Sequence, residues 1–222
     1  LPTIFCDDFE SYTNSAYLAA SSPNWTTWSG TGAGTTEDVQ ITNTSYNSPS
    51  NSIFFNGTGS GGGPQDVVLP FGSSTGLHTP YTSGYFDFSA NFFVNLGTGA
   101  YFNFQAENLT GTTWSMDVHM DNLGNVSFEN GGGATVFLIS TYPMNVWFEM
   151  KIAVDLTNNN WEIFIDGVSQ GSFANTINKI ASLDLYPLAG HQFYVDDVCY
   201  TYSTTPINTF GCTDPLACNY NP

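Results

Sequence analysis

The sequence predicts an all-β domain, an antiparallel two-sheet sandwich or a barrel, and three observations predict it. Short apolar runs with period-two alternation recur along most of the chain, separated by Gly, Asn, Ser and Thr clusters. Aromatic residues make up 16% of the sequence, a composition that suits pleated, half-buried surfaces. No convincing amphipathic helix is visible. The best helical candidate, Thr176 to Leu183, amounts to a single turn.

The strands are expected in this order: Ser52 to Phe55, Asp66 to Leu69, Gly84 to Val94, Tyr101 to Gln105, Trp114 to Met120, Val146 to Asp155, Trp161 to Ile165, and Gln192 to Tyr202. The clearest hairpin runs from Trp147 to Ile165. Met150, Ile152 and Val154 alternate with Glu149, Lys151 and Ala153, and Trp161, Ile163 and Ile165 alternate in the return strand, so each strand has one buried face. Asp166-Gly167 then supplies two positive-φ positions for a tight turn into Val168. Glycine-rich stretches at 57–63 and 131–133 read as loops. Neither opens a helix, which argues against a phosphate cradle.

The chain has 222 residues, a length that one large all-β domain can fill. Only 9% of residues are charged, and the net charge is −17. The sole basic residues are Lys151 and Lys179. Two cations cannot neutralise a run of phosphates, so nucleic-acid binding and docking on an anionic membrane are excluded. No apolar run is long enough to span a bilayer, so membrane insertion is not expected.

The four cysteines, Cys6, Cys199, Cys212 and Cys218, allow three pairings. Cys6 and Cys199 bracket the main domain while Cys212 and Cys218 sit together near the end, so the expected pairs are Cys6–Cys199 and Cys212–Cys218, in an oxidising compartment. The chain opens at Leu1-Pro2 rather than Met, which suggests that an upstream segment was removed. The domain is expected over residues 1–202, followed by a polar linker at 203–210 and a short tail at 211–222.

Acidic residues cluster at both ends of the domain, in Cys6-Asp7-Asp8-Phe9-Glu10 and in Asp196-Asp197. If Cys6 bonds Cys199 these carboxylates are neighbours and repel unless something positive lies between them. With so few lysines, a calcium ion near Asp8, Glu10 and Asp197 is the expected answer.

The stretch from Phe5 to Tyr12 and the stretch from Phe193 to Tyr200 resemble the first and last strands of concanavalin A-like jelly-roll modules, the laminin-G-like and MAM-type domains among them. The hairpin from Trp147 to Gly167 is similar to the laminin-G-like pattern. The resemblance frames residues 4–202 and implies a two-sheet jelly roll in which Glu10 and Asp197 help to bind a structural calcium. The tail Gly211-Cys-Thr-Asp-Pro-Leu-Ala-Cys-Asn-Tyr-Asn-Pro222 resembles short thrombospondin type 3-like calcium repeats of large secreted Bacteroidetes proteins that use type IX secretion. It stops before the acidic second half of such a repeat, which suggests a fragment or processed product.

No catalytic set is evident. Laminarinase-like hydrolases of this fold carry Glu-x-Asp-x-Glu on one strand, and no such motif occurs. Asp117 and His119 alternate on one strand and form the best acid/base candidate, with a polar strand face as the plainer reading. Exposed aromatics beside amides are the usual dock for sugars. Trp25 and Trp28 are candidates, and Tyr101, Asn103, Gln105, Trp114, Asp117 and His119 define the best candidate ligand surface. The expected function is a secreted, non-catalytic adhesion or binding module for a glycan or cell-surface ligand. The alternatives are a subunit of an extracellular fibre, with neighbouring copies as partners, and, less favoured, a polysaccharide-degrading enzyme.

Overall fold

The computed structural model describes residues 2–72, 79–131 and 135–206. Fifteen strands and one helical turn follow one another: β1 (Thr3–Asp7), α1 (Leu18–Ser21), β2 (Thr26–Thr27), β3 (Ile41–Thr42), β4 (Ser52–Asn56), β5 (Val67–Pro70), β6 (Tyr85–Val94), β7 (Ala100–Gln105), β8 (Trp114–Met120), β9 (Asn125–Glu129), β10 (Val136–Thr141), β11 (Trp147–Asp155), β12 (Asn160–Ile165), β13 (Val168–Phe173), β14 (Ser182–Leu185) and β15 (Gln192–Ser203).

They form two antiparallel sheets. The first runs β13-β12-β11-β6-β15-β4-β3, with β1 paired to the far half of β15. The second runs β10-β9-β8-β7-β14-β5-β2. Strands β1 and β4 share one edge of β15, because β4 meets Gln192 to Val195 and β1 meets Val198 to Tyr202. The two ends of the domain therefore lie side by side, with Cys6 directly opposite Cys199. Their sulfurs are bonded across a Cα–Cα distance of 4.1 Å. That distance is close to the narrow, non-hydrogen-bonded spacing of antiparallel pairs. Cys212 and Cys218 lie outside the described residues.

Period-two alternation places the core between the sheets. In β6, Phe86, Phe88, Ala90, Phe92 and Val94 point inward, and their neighbours are half-exposed. They meet Phe102 and Phe104 of β7, with Phe88 and Phe92 centred 5.8 and 5.3 Å from Phe102. Such offset or tilted contacts between rings add to the transfer gain of burying each ring. The hairpin holds as read: Met150, Ile152, Val154, Trp161, Ile163 and Ile165 are buried. Asp166 (φ 48°) and Gly167 (φ 72°) make the turn that pairs Ile165 with Val168.

Two elements differ from expectation. The segment Thr176 to Leu183 is not helical. Ile180 bridges Tyr81, and β14 begins at Ser182. All four residues of β14 are buried, so its alternation is masked by cover on both faces. Strand β15 also runs through Ser203, one residue into the expected linker. Residues 207–210 and the tail 211–222 lie outside the described residues. Among the described residues, no helix is long and apolar enough to cross a membrane.

Candidate functional site

The site lies on the outer face of the second sheet, where β14, β7, β8 and β9 run side by side. Cross-strand pairing aligns Asp184 with Asn103, Asn103 with Asp117, and Asp117 with Glu129. A neighbouring row aligns Tyr101, His119 and Ser127. Period two sends all of these to the same side, away from the core.

This face is not simply solvated. Asn103 is 1% exposed, Asp184 4% and Asp117 5%. Cover comes from Trp28, after β2, and Trp114, which begins β8. Their rings stack with centroids 6.0 Å apart. The loop between β7 and β8 closes over the same edge through Gly111. Its φ of +78° and its approach to Trp28, where a Cβ would sit 3.1 Å from Cζ2, favour glycine here. The result is a groove of about 490 Å³ whose walls include Trp28, Trp114, Tyr101, His119, Tyr186 and Leu188, with Asp66, Asn103, Asp117 and Asp184 among its polar groups.

The polar floor is cross-linked. Asn103 Nδ2 donates to Asp184 Oδ2 (2.6 Å) and to the Tyr101 hydroxyl (3.2 Å). Tyr101 in turn donates to Asp117 Oδ1 at 2.6 Å. Burial first, then the charge of Asp117, pushes the Tyr101 phenol well above its usual range, which keeps it a donor. Gln105 Nε2 donates to Asn103 Oδ1 (2.6 Å), and Gln105 Oε1 accepts from the Gly111 amide (2.8 Å). His119 packs on the Tyr101 ring at 4.8 Å, with Nε2 3.9 Å from Glu129 Oε2.

Asp66 and Asp184 form a second kind of feature. Each carries one buried oxygen, Oδ1, that meets no amide or hydroxyl donor, and the two carboxyls hydrogen-bond to each other. Burial raises both carboxyls above the ordinary range, and the charge of Asp184 raises Asp66 further. Two such neighbours near neutral pH hold a proton between them, because ionising both would set like charges together in a poorly solvated place.

The sequence-predicted ligand residues therefore come together, with one change of role. Tyr101, Asn103, Trp114, Asp117 and His119 line the groove. Gln105 is fully buried beneath it and supports Asn103. Trp25 is a core residue that donates from Nε1 to Asp7 Oδ2 at 3.0 Å. Asp66, Asp184 and Tyr186 were missed. Asp184 sits in the masked strand β14, and Asp66 directly precedes β5, 118 positions earlier, so only the sheet order unites them.

The expected calcium ligands are not gathered in this way. Asp8 Oδ1 accepts from the Glu10 amide, Glu10 Oε1 from the Asn51 amide, and Asp197 Oδ2 from the side chains of Asn47 and Asn91. The neighbouring acids are also served by protein donors. Asp196 accepts from the amides of Asn47, Ser48 and Asp197, and Asp7 from the Phe9 amide and the Tyr12 hydroxyl. Amide and hydroxyl donors thus answer the repulsion for which the sequence invoked a cation. Among the described residues, no three His, Cys, Asp or Glu side chains are grouped to hold a metal ion. If these donors suffice without a cation at Asp8, Glu10 and Asp197, chelation by EDTA moves the melting temperature by less than about 2 °C. A loss of ten degrees or more would show that a bound cation braces the domain.

The buried acids set a pH dependence. Burial pushes Asp196 up to about 6 from 3.8, and Asp66 and Asp184 are raised as well. Each binds its proton more tightly folded than unfolded, so stability falls as pH rises from about 4 through 6 and beyond. His191, lowered by burial to about 4, works the opposite way, as one group against three. The melting temperature is expected to be a few degrees higher at pH 5 than at pH 7.5. A lower value at pH 5 would contradict these assignments.

No family model matches the sequence, and no curated protein matches it either. Solved structures do match its fold. The carbohydrate-binding module CBM66 from Bacillus subtilis is 12% identical, with 81% of this chain and 96% of that one covered and a TM-score of 0.51. A family 7 alginate lyase, A1-II′, solved in complex with its substrate, is 9% identical over 72% of this chain and 81% of that one, with a TM-score of 0.52. The botulinum neurotoxin serotype G binding domain is 10% identical over 81% of this chain, with a TM-score of 0.50. The present chain spans about half of it, 47%. At these identities the likeness establishes the jelly-roll sandwich and nothing finer.

Proposed function

We propose that this chain is a non-catalytic glycan-binding module of a secreted protein, and that it takes a sugar in the groove over β7, β8 and β14. The observation that carries the reading is the juxtaposition of a stacked tryptophan pair, Trp28 and Trp114, with a buried, cross-linked row of amide, hydroxyl and carboxylate groups. A sugar ring has apolar C–H faces and a polar rim. The indoles offer apolar surface, and Asn103, Asp117 and Asp184 offer fixed hydrogen-bond partners. A few convergent polar groups in an aromatic-walled cleft are what small-ligand sites require. That one neighbour in fold is a carbohydrate-binding module supports the reading. The disulfide fits an oxidising, extracellular setting.

The test is binding of the full chain to a panel of soluble polysaccharides by affinity electrophoresis, with Trp114→Ala beside the parent. Removing one stacking face costs roughly 1–3 kcal/mol, so retardation by the recognised polymer should weaken about 5- to 100-fold. Unchanged retardation in a folded variant would overturn the assignment of the groove.

A second reading is favoured by the pairing of the Asp66 and Asp184 carboxyls in the groove, since a carboxyl whose proton is held by burial can act as a general acid. In that case the chain would cleave the glycan it binds, and new reducing ends would accumulate with the parent and not with Asp66→Asn or Asp184→Asn.

A further inference from the structure

The groove has an unusual charge. Asp66, Asp117 and Asp184 line it, and Glu129 stands beside Asp117 and His119 at its edge. Neither lysine of the chain reaches it. Lys151 is paired with Asp87 on the first sheet, and Lys179 with Glu107 in the loop after β7. His119 is the one group of the lining able to carry a positive charge, and it faces Glu129.

The second observation is the state of Asp184. It is 96% buried and opens onto the groove, its Oδ1 meets no amide or hydroxyl donor and is left to the Asp66 carboxyl, and its Oδ2 is taken by Asn103. Asp66 presents a matching oxygen, likewise without an amide or hydroxyl donor. A carboxyl pair joined by one shared proton has acceptor sites to spare, and a cationic group with several N–H donors makes charge-assisted bonds to both. Two such oxygens sharing one proton make a cradle for a group with several N–H donors and a positive charge.

Resting on the glycan-binding reading above, we propose that the groove selects a sugar bearing a protonated primary amine, seated between Asp66 and Asp184, and that it rejects uronates. The ammonium takes the place of the shared proton, which leaves to solvent, so the pair's second negative charge appears only when the ligand compensates it. An acidic sugar would meet three lining carboxyl groups with no lysine to neutralise it, and like charges brought together are repelled.

The experiment is isothermal titration of the full chain with three tetrasaccharides of similar size: glucosamine, N-acetylglucosamine and mannuronate. The glucosamine oligomer is expected to bind at least tenfold more tightly than its acetylated counterpart, and the mannuronate oligomer not to bind. Asp184→Asn should erase the tenfold preference, so that the glucosamine oligomer loses at least ten times more affinity than the acetylated oligomer does. Asp66→Asn serves as the second variant if Asp184→Asn fails to fold. Equal binding of the acetylated oligomer, or any binding of mannuronate, overturns the amine inference and leaves the glycan-binding reading standing. Binding of trilysine as tight as that of the glucosamine oligomer overturns the sugar as the source of the amine. If none of the oligomers binds, and none of the polysaccharide panel does, the glycan-binding reading itself falls.

Discussion

Replacing Cys6 and Cys199 together by serine is expected to lower the melting temperature by roughly 5–15 °C. The bond joins residues 193 positions apart, so it closes nearly the whole domain into one loop. In the chain-entropy picture a loop of that size is worth about 5 kcal/mol, and losses of native disulfides fall at about 2–5 kcal/mol. For a domain of this size each kcal/mol moves the midpoint by about 2–4 °C. The native contacts hardly change, because β1 keeps its five-residue register with β15 whether or not the sulfurs are bonded. The effect therefore belongs mainly to the unfolded chain. Reduction of the parent by dithiothreitol should reproduce the loss. A midpoint that ignores both changes would mean that the bond does not form.

The second large effect is expected at Asn103, the hub of the polar floor. Its amide donates to Asp184 and Tyr101 and accepts from Gln105, all on a face it shares with the groove. Asn103→Ala leaves Asp184 Oδ2 without this donor beside an Oδ1 that already lacks one. It also leaves the buried Gln105 amide without its acceptor. Each buried group left unsatisfied costs about 1–3 kcal/mol. The variant should lose roughly 2–4 kcal/mol, and denaturant unfolding should show it as a lower midpoint with the slope unchanged. Glycan affinity should fall with it, because Asp184 loses the contact that orients it. Asn103→Asp should be worse, since it sets a third carboxylate between Asp184 and Asp117. A stability change below about 0.5 kcal/mol for Asn103→Ala would show that the floor is wet and adaptable rather than locked.

The sequence was most legible where one face of a strand is buried and the other is not. Strands β6, β11 and β12 alternate cleanly, and the inward sets of β11 and β12 were read residue by residue. The turn at Asp166-Gly167 was legible because its chemistry is local. Strand β14 was not, because the groove covers its outer face and the core its inner one. The same cover hid Asp184. Half of the groove lining followed from alternation in Tyr101-Phe-Asn-Phe-Gln105 and in Asp117 and His119. The other half needed the strand order, since nothing local places Trp28, Asp66 and Asp184 beside β7. The acidic chain ends were correctly seen as neighbours. That their repulsion is met by backbone amides and by Asn47, Asn91 and Tyr12 was invisible, because donors reach them from loops far along the chain.

The opposite sheet offers a rival surface. On its outer face Phe54, Tyr194, Phe93 and Trp147 form a cross-strand row of half-buried rings, with centroids 4.5 to 6.0 Å apart between neighbours. A sugar stacked there would meet Glu149, Asn91 and Asp196 in the adjoining cross-strand row. One measurement separates the two faces: amide chemical-shift mapping of the full chain titrated with the oligosaccharide it binds best. The groove account predicts shifts confined to Trp28, Asp66, the residues of β7 and β8 from Tyr101 to His119, and Asp184 to Leu188. Shifts centred instead on Phe54, Phe93, Trp147 and Tyr194 would contradict it.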